Sequence, residues 1–177
     1  AVDSCLGGKT AINFKSTVNA IGSYHHPTAI LIDSKLLMEL PPREISSGFA
    51  EIVKYALLGA PKITECLSEE NTLSSSLLAW YVEQSLKQKE RFVKNDISES
   101  ANRLFLNFGH TIGHAIEFST IYNGEETLRH GQGVALGMLA IFRICIELGY
   151  LEESDIKWLR SILDRYGLPI YLSLIHI

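Results

Sequence analysis

The stretch NFGHTIGHAIE (residues 107–117) indicates both the fold and the chemistry of this chain. Its apolar residues recur at helical spacing, and His110 and His114, four residues apart, lie on one face of the predicted helix. Gly109 and Gly113 flank the pair within this helix, where each glycine costs about 1 kcal/mol relative to alanine. Glycine at such positions suggests that a ligand or another backbone approaches closely.

Further helices are predicted on both sides of this stretch. Pro41 and Pro42 suit a helix start, and apolar residues then recur at a spacing of 3.6. We predict helices from these prolines onward and over 73–95 (with Asn71 or Thr72 as cap), 108–118, 131–148 and 155–166 (with Ser154 as cap). The clearest strand is TAILID, Thr28–Asp33. The fold class expected is mainly α, entered by a short mixed β segment.

Composition narrows the functional classes. The 177-residue chain is 46% hydrophobic and 20% charged, which is typical of a folded globular protein. Its formal net charge of −4 gives no electrostatic attraction for nucleic acid or an anionic membrane. The longest apolar run, Gly133 to Phe142, is too short to cross a bilayer. We therefore expect neither nucleic acid nor a membrane as a partner. Three cysteines without CxxC spacing favour a reducing compartment, so we expect a cytoplasmic protein.

Four residues are candidates for a metal site: Glu51, His110, His114 and His130. A glutamate and two histidines from different helices match the ligand set of a catalytic zinc site with open positions for substrate. The alternative is that each histidine is structural, as a single histidine on an amphipathic helix usually is. The residues alone leave open which of the histidines would bind a metal.

Other polar residues suit an anionic substrate. Lys54 follows Glu51 by three residues, on the same helix face. Arg103 and Asn107 are four residues apart, and Asn107 precedes His110 by three, which predicts one polar stripe along a helix. The alternative for this stripe is a solvated surface.

The string GGKT (7–10) resembles the end of a nucleotide-binding P-loop. Asp3 occupies the position of the first glycine of that motif, so a P-loop is excluded. What remains is a glycine turn that presents Lys9 to a phosphate or a carboxylate.

Five stretches occur together in an order and spacing that extend over residues 1 to about 169. They are DSCLGGKT (3–10), LPPRE (40–44), AEIVKY (50–55), NFGHTIGHAIE (107–117) and HG (130–131). Together they resemble the 3-dehydroquinate synthase family of sugar phosphate cyclases. The resemblance implies the helical metal-binding C-terminal domain of an α/β + α enzyme, as a fragment without the N-terminal NAD domain and the extreme C-terminus. The implied parts are 1–40, the end of the NAD domain and an interdomain segment; 41–169, the metal- and substrate-binding domain; and 170–177, a non-native tail.

The resemblance also implies roles for individual residues. Zinc or cobalt would be held by Glu51, His110 and His130. The implied catalytic residues are His114, which handles protons beside the metal, Lys54 and Lys9. The implied substrate contacts are Asp3, Asn19, Lys54, Lys89, Arg103, Asn107 and His114. The implied NAD contacts are Asp3, Lys9, Asn19, Leu36, Leu37, Met38 and Glu39.

The implied reaction is that of an NAD- and metal-dependent lyase of the shikimate pathway, active as a homodimer. It converts a phosphorylated seven-carbon keto acid to 3-dehydroquinate with loss of phosphate. Two departures leave the substrate less certain: Val18 replaces a lysine of the family, and Gln132 replaces a glutamate beside a metal ligand.

Two alternatives to this reaction remain. One is a related cyclase such as 2-deoxy-scyllo-inosose synthase, although that family has an acid at the position of Asn107 and lacks the arginine at 103. The other is a non-catalytic helical metal-binding domain, which would have no need of Lys9, Lys54 or Arg103.

Overall fold

A computed structural model describes residues 2–14, 17–69, 72–94, 96, 101–122 and 125–172. The strands are β1 (Ile12–Phe14), β2 (Thr17–Ile21), β3 (Ile121–Tyr122) and β4 (Glu125–Glu126); β1 pairs with β2 and β3 with β4, both antiparallel. The helices are α1 (Ser34–Met38), α2 (Pro42–Leu57), α3 (Pro61–Ser68), α4 (Ser75–Val93), a 3₁₀ helix (Asn102–Asn107), α5 (His110–Ser119), α6 (His130–Glu147) and α7 (Glu153–Arg165). The mainly α fold class is therefore confirmed. Within these ranges no helix is both long and apolar enough to cross a membrane.

The five predicted helices are present as α2, α4, α5, α6 and α7, but two predicted caps differ. The hydroxyl of Ser74 accepts from the backbone N–H of Leu77 at 3.2 Å, so Ser74 rather than Thr72 caps α4; Asn71 lies outside the described residues. Helix α7 begins after Glu152 rather than Ser154. Period-3.6 patterns locate a helix well but its first residue poorly.

The predicted strand over Thr28–Asp33 is wrong. These residues run without regular structure, and Leu31 is 98% exposed. A strand is stable only beside a partner that completes its hydrogen bonds, and none of the described segments pairs with residues 28–33. Asp33 instead caps α1, since its carboxylate accepts from the N–H of Lys35 at 2.9 Å.

Helix α2 forms the centre of the core. Proline at its first position suits a helix start, and every residue from Phe49 to Ala56 is buried. The helix packs against α3, α4, α6 and α7. The ring of Phe49 stacks on Tyr166, with centroids 3.9 Å apart. The buried position of α2 places Glu51 and Lys54 inside the protein, where charged groups require partners.

Helices α5 and α6 pack backbone to backbone. A Cβ atom on Gly137 would lie 2.0 Å from the carbonyl oxygen of Gly109, and one on Gly113 would lie 2.8 Å from that of Gly133. The expected close approach is thus to another backbone. Gly109 lies at the N-cap of α5, with a φ of +78°, and not inside the helix as predicted. This packing brings the two histidines of α5 beside His130, the first residue of α6.

Candidate active site

A cavity of about 850 Å³ lies between α2, α5, the start of α6 and the N-terminal segment. Of the residues predicted to form the site, those that line it are Asp3, Lys9, Leu37, Glu51, Lys54, Lys89, Arg103, Asn107, His110, His114 and His130. Three predicted NAD contacts, Leu36, Met38 and Glu39, are not among the lining residues. The backbone of Asn19 lies in β2, and the side chains of Asn19 and Val18 lie outside what the structure describes.

Glu51, His110 and His130 come together at one wall of this cavity. Glu51 Oε1 lies 3.3 Å from His110 Nε2 and 3.4 Å from His130 Nε2. Two metal–ligand bonds of about 2.05 Å at a tetrahedral angle hold their ligand atoms about 3.3 Å apart. The separations and the donor set therefore fit a divalent cation such as zinc or cobalt.

Both histidines of this group are oriented through their other ring nitrogen. The Nδ1 of His110 lies 3.1 Å from the carbonyl oxygen of Phe108, which can only accept a hydrogen bond. The Nδ1 of His130 lies 3.5 Å from Oε2 of Glu117. In the neutral ring that a metal requires, a proton on each Nδ1 leaves the lone pair of Nε2 on the side of Glu51, which is the arrangement of most histidine metal ligands.

The charge of Glu51 is retained although the residue is buried. Oε2 lies 2.5 Å from Lys54 Nζ, yet it receives no well-directed hydrogen bond from the described residues. Lys54 directs a hydrogen bond of 3.0 Å to the carbonyl of Leu106. Burial raises the pKa of Glu51, but Lys54, His110 and His130 outweigh it and hold the pKa well below its usual range. Glu51 is therefore an anion whose Oε2 is paired with Lys54 and whose Oε1 faces both histidine nitrogens, an arrangement that suits a cation beside Oε1.

Glu117 is a second carboxylate of the site, to which sequence analysis assigned no role. Its Oε2 lies 3.0 Å from His114 Nδ1 as well as near His130. Hydrogen bonds to Glu117 and Glu51 raise the pKa of His130 to about 9 against the opposing effect of burial. Glu117 follows His114 by three residues in NFGHTIGHAIE, a spacing that could have identified it as a partner.

Cationic side chains also line the cavity. Lys89 Nζ donates to the backbone oxygen of Asp3 at 2.8 Å and lies 3.1 Å from its carboxylate, to which the hydroxyl of Tyr55 also donates. Arg103 is 2% exposed and donates to the carbonyl of Gly7 at 2.7 Å. Lysine and arginine held in this way are suited to a phosphate or a carboxylate.

The predicted single stripe of Arg103, Asn107 and the two histidines is not formed. The first two belong to the 3₁₀ helix, and the positive φ of Gly109 ends that segment before α5 begins. Arg103 is buried whereas Asn107 is exposed. The carboxylate of Asp96, a residue that sequence analysis did not identify, accepts from the backbone N–H groups of Ala101 and Arg103 at 2.7 and 2.9 Å.

Comparison with protein families separates the chain into two matched regions. A family model described as 3-dehydroquinate synthase C-terminal matches residues 48–176, and one described as 3-dehydroquinate synthase N-terminal matches residues 1–47. The chain belongs to the 3-dehydroquinate synthase family. The resemblance in the five sequence stretches is thereby confirmed.

Curated 3-dehydroquinate synthases are similar along nearly the whole chain. That of Dictyoglomus thermophilum is 39% identical over 174 residues, which is 96% of this chain and 48% of the relative. That of Acinetobacter baumannii (strain AYE) is 40% identical over 173 residues, which is 96% of this chain and 47% of the relative. The chain thus spans about half the length of the curated relatives it matches.

Solved structures of the wider superfamily share the fold. A 2-deoxy-scyllo-inosose synthase superposes with a TM-score of 0.79 at 28% identity, over 98% of this chain and 48% of that one. Another structure of this enzyme, complexed with carbaglucose-6-phosphate, NAD⁺ and Co²⁺, gives 0.78 at 29% identity, over 94% and 46%. A 2-epi-5-epi-valiolone synthase from Streptomyces hygroscopicus gives 0.76 at 22% identity, over 97% and 48%, which shows the fold alone. The 3-dehydroquinate synthase family member described here therefore has the helical domain of the sugar phosphate cyclases, as predicted.

Proposed function

We propose that this chain is the metal- and substrate-binding part of a 3-dehydroquinate synthase. The enzyme would convert the phosphorylated seven-carbon keto acid DAHP to 3-dehydroquinate with release of phosphate, as a lyase of the shikimate pathway. The observation that supports this function most directly is the convergence of Glu51, His110 and His130 in a cavity that Lys54, Lys89 and Arg103 also line. The 36–40% identity to curated 3-dehydroquinate synthases supports the substrate.

The proposed cofactors are NAD and a divalent metal, zinc or cobalt. Glu51, His110 and His130 would hold the metal. When bound, the metal would polarise a substrate hydroxyl and later a carbonyl, and NAD would take up and return a hydride. We propose NAD contacts from Asp3, Lys9, Asn19 and 36–39; of these, Asp3, Lys9 and Leu37 line the cavity.

The residues of the chain itself would position the substrate and move its protons. His114 lines the cavity with its Nδ1 held by Glu117, so its other nitrogen is the one available for proton transfer. Lys54, Lys89 and Arg103 would hold the phosphate and carboxylate groups. Asp3 would meet the substrate from a fixed position, because Tyr55 and Lys89 both bind its carboxylate.

A second candidate is a related cyclase acting on another sugar phosphate. The TM-scores of 0.79 and 0.78 to 2-deoxy-scyllo-inosose synthase favour it. The retained Arg103 and Asn107 favour 3-dehydroquinate synthase instead. A third candidate is a non-catalytic metal-binding domain, but such a domain would not explain why Lys54, Lys89 and Arg103 line the same cavity.

Two experiments test the proposal. First, the 177-residue chain is titrated with Zn²⁺ or Co²⁺. We expect about one ion per chain, lost in His110→Ala and Glu51→Gln and retained in His114→Ala; equal loss in His114→Ala would contradict the assigned ligands. Second, phosphate release is measured with a full-length protein that contains this chain, given NAD and DAHP, glucose 6-phosphate or sedoheptulose 7-phosphate. Release only from one of the last two would favour the second candidate.

Four further predictions accompany the proposal. The division into 1–40, 41–169 and a tail at 170–177 remains a prediction, and residues 173–177 lie outside the described part of the chain. A homodimer and a cytoplasmic location also remain predictions; three free cysteines are compatible with a reducing compartment. We expect the isolated chain to bind metal without turnover, which an assay of the 177 residues with NAD and DAHP can contradict.

A further inference from the structure

Glu117 is the carboxylate through which two histidines of the site are connected. One oxygen, Oε2, lies 3.0 Å from Nδ1 of His114 and 3.5 Å from Nδ1 of His130. The side chain of Glu117 is 18% exposed and lies against the cavity. The two histidines come from different helices, so this carboxylate links α5 to the start of α6.

The geometry offers two three-residue groups that share His130. One is Glu51, His110 and His130, and the other is His114, Glu117 and His130. A neutral imidazole has one nitrogen with a lone pair and one with a proton, so His130 can be a ligand in one group only. Glu51 is the more buried carboxylate, and its Oε1 lies 3.3 and 3.4 Å from Nε2 of His110 and His130, separations that fit a shared cation and favour the first group.

This choice determines what Glu117 does. If Nε2 of His130 faces the cation, its Nδ1 carries the proton and points towards Glu117. The carboxylate can only accept, so Nδ1 of His114 must also carry a proton, which leaves the lone pair of its Nε2 for the substrate. The carboxylate of Glu117 thus selects the same tautomer in both rings.

We propose that Glu117 is a positioning residue that orients the metal ligand His130 and the proton-transfer residue His114 together. The inference rests on the proposed function, because it takes Glu51, His110 and His130 as the metal ligands. Close packing of α5 on α6 supports it: a Cβ on Gly133 would lie 2.8 Å from the carbonyl oxygen of Gly113, so the helix that carries Glu117 is held against the helix that begins with His130.

The test measures metal affinity and histidine tautomers in the 177-residue chain. Glu117→Gln keeps the shape but removes the charge, and we expect its Co²⁺ affinity to fall about 10–100-fold. Glu117→Ala removes the acceptor, and we expect long-range ¹H–¹⁵N NMR of the metal-free chain to show that His114 loses its Nδ1–H tautomer. Glu147→Gln is the matched control, since Glu147 is an exposed partner of Arg143 on α6 and should leave both readouts unchanged.

The outcomes separate this inference from the proposed function. Two results together would overturn the role of Glu117 but not the metal site: a Co²⁺ affinity of Glu117→Gln within twofold of the wild type, and an unchanged His114 tautomer in Glu117→Ala. Two Co²⁺ ions per chain would also overturn it, because Glu117 would then be a ligand. Absence of Co²⁺ binding by the wild type would overturn the proposed metal site, whereas the tautomer of His114 in the metal-free chain still tests Glu117.

Discussion

Replacement of Gly137 by alanine tests whether backbone contact between α5 and α6 holds the metal site together. A Cβ at this position would lie 2.0 Å from the carbonyl oxygen of Gly109 and 2.8 Å from the backbone N of Gly113. Real Cβ atoms essentially never approach closer than 3.0 Å, so the backbones of α5 and α6 must move apart by at least about 1.0 Å. The atoms that it meets are backbone and cannot rotate away.

The displacement is large relative to what the site tolerates. His110 directly follows Gly109, and metal–ligand distances are held to within about 0.2 Å. A shift of 1.0 Å should therefore lower Co²⁺ affinity at least about tenfold. The free energy of unfolding provides a second test, because the two effects of the substitution on it have opposite signs. Glycine to alanine inside a helix normally stabilises by about 1 kcal/mol, whereas forced overpacking costs about 1–3 kcal/mol. We expect the overpacking to prevail.

The assay combines urea unfolding with Co²⁺ titration, and Gly149→Ala is the matched control. Gly149 has a φ of +76° with nothing within 4 Å of the added Cβ, so alanine there costs about 1–2 kcal/mol through backbone strain alone. It follows the end of α6 and should leave Co²⁺ affinity unchanged. A Gly137→Ala protein as stable as the wild type, with wild-type Co²⁺ affinity, would refute the backbone contact.

Three more substitutions test the supports of the site by urea unfolding. Phe49→Ala removes a buried ring stacked on Tyr166, and we expect a loss of about 3–5 kcal/mol; a loss below about 1 would mean that the stack is not formed. Asp96→Ala leaves the N–H groups of Ala101 and Arg103 without their acceptor and should cost about 1–3 kcal/mol, with Asp155→Ala at the exposed start of α7 as a milder comparison. Tyr55→Phe removes a hydrogen bond to the carboxylate of Asp3 and should cost about 1.5–3 kcal/mol; unchanged stability would show that Lys89 alone suffices.

Periodicity predicted the helices because each is amphipathic and packs on α2 or α6. Phe49, Ile52 and Val53 recur at 3.6 spacing and are all buried, so the sequence pattern contains the packing. The prediction of a strand at Thr28–Asp33 was wrong because an apolar pattern indicates only a β propensity, whereas strand formation also depends on a second segment that pairs with it. Short elements such as α1 and the 3₁₀ helix have too few residues to show a period.

The candidate site was partly predictable for a related reason. Residue types and spacing identified Glu51, His110, His114 and His130 as candidate ligands, because ligand chemistry restricts which side chains can serve, and the family resemblance excluded His114 from the set. The residues that support the site were not predicted: Asp96 accepts from the backbone of Arg103, Tyr55 donates to Asp3, and Glu117 lies beside His114 and His130. Only Glu117 left a local signal, its spacing of three residues from His114.

Gln132 illustrates how the structure changes the meaning of a sequence departure. A glutamine in place of a family glutamate beside a metal ligand was one of two departures that left the substrate less certain. Its Oε1 accepts from the backbone N–H of Arg129 at 2.9 Å and from the guanidinium of Arg43 at 2.9 and 3.2 Å, and the residue does not line the cavity. Gln132 therefore caps the start of α6, where His130 begins, and an amide oxygen serves there as a carboxylate oxygen would. The departure concerns how the start of α6 is held, so it does not weaken the proposal that the substrate is that of 3-dehydroquinate synthase.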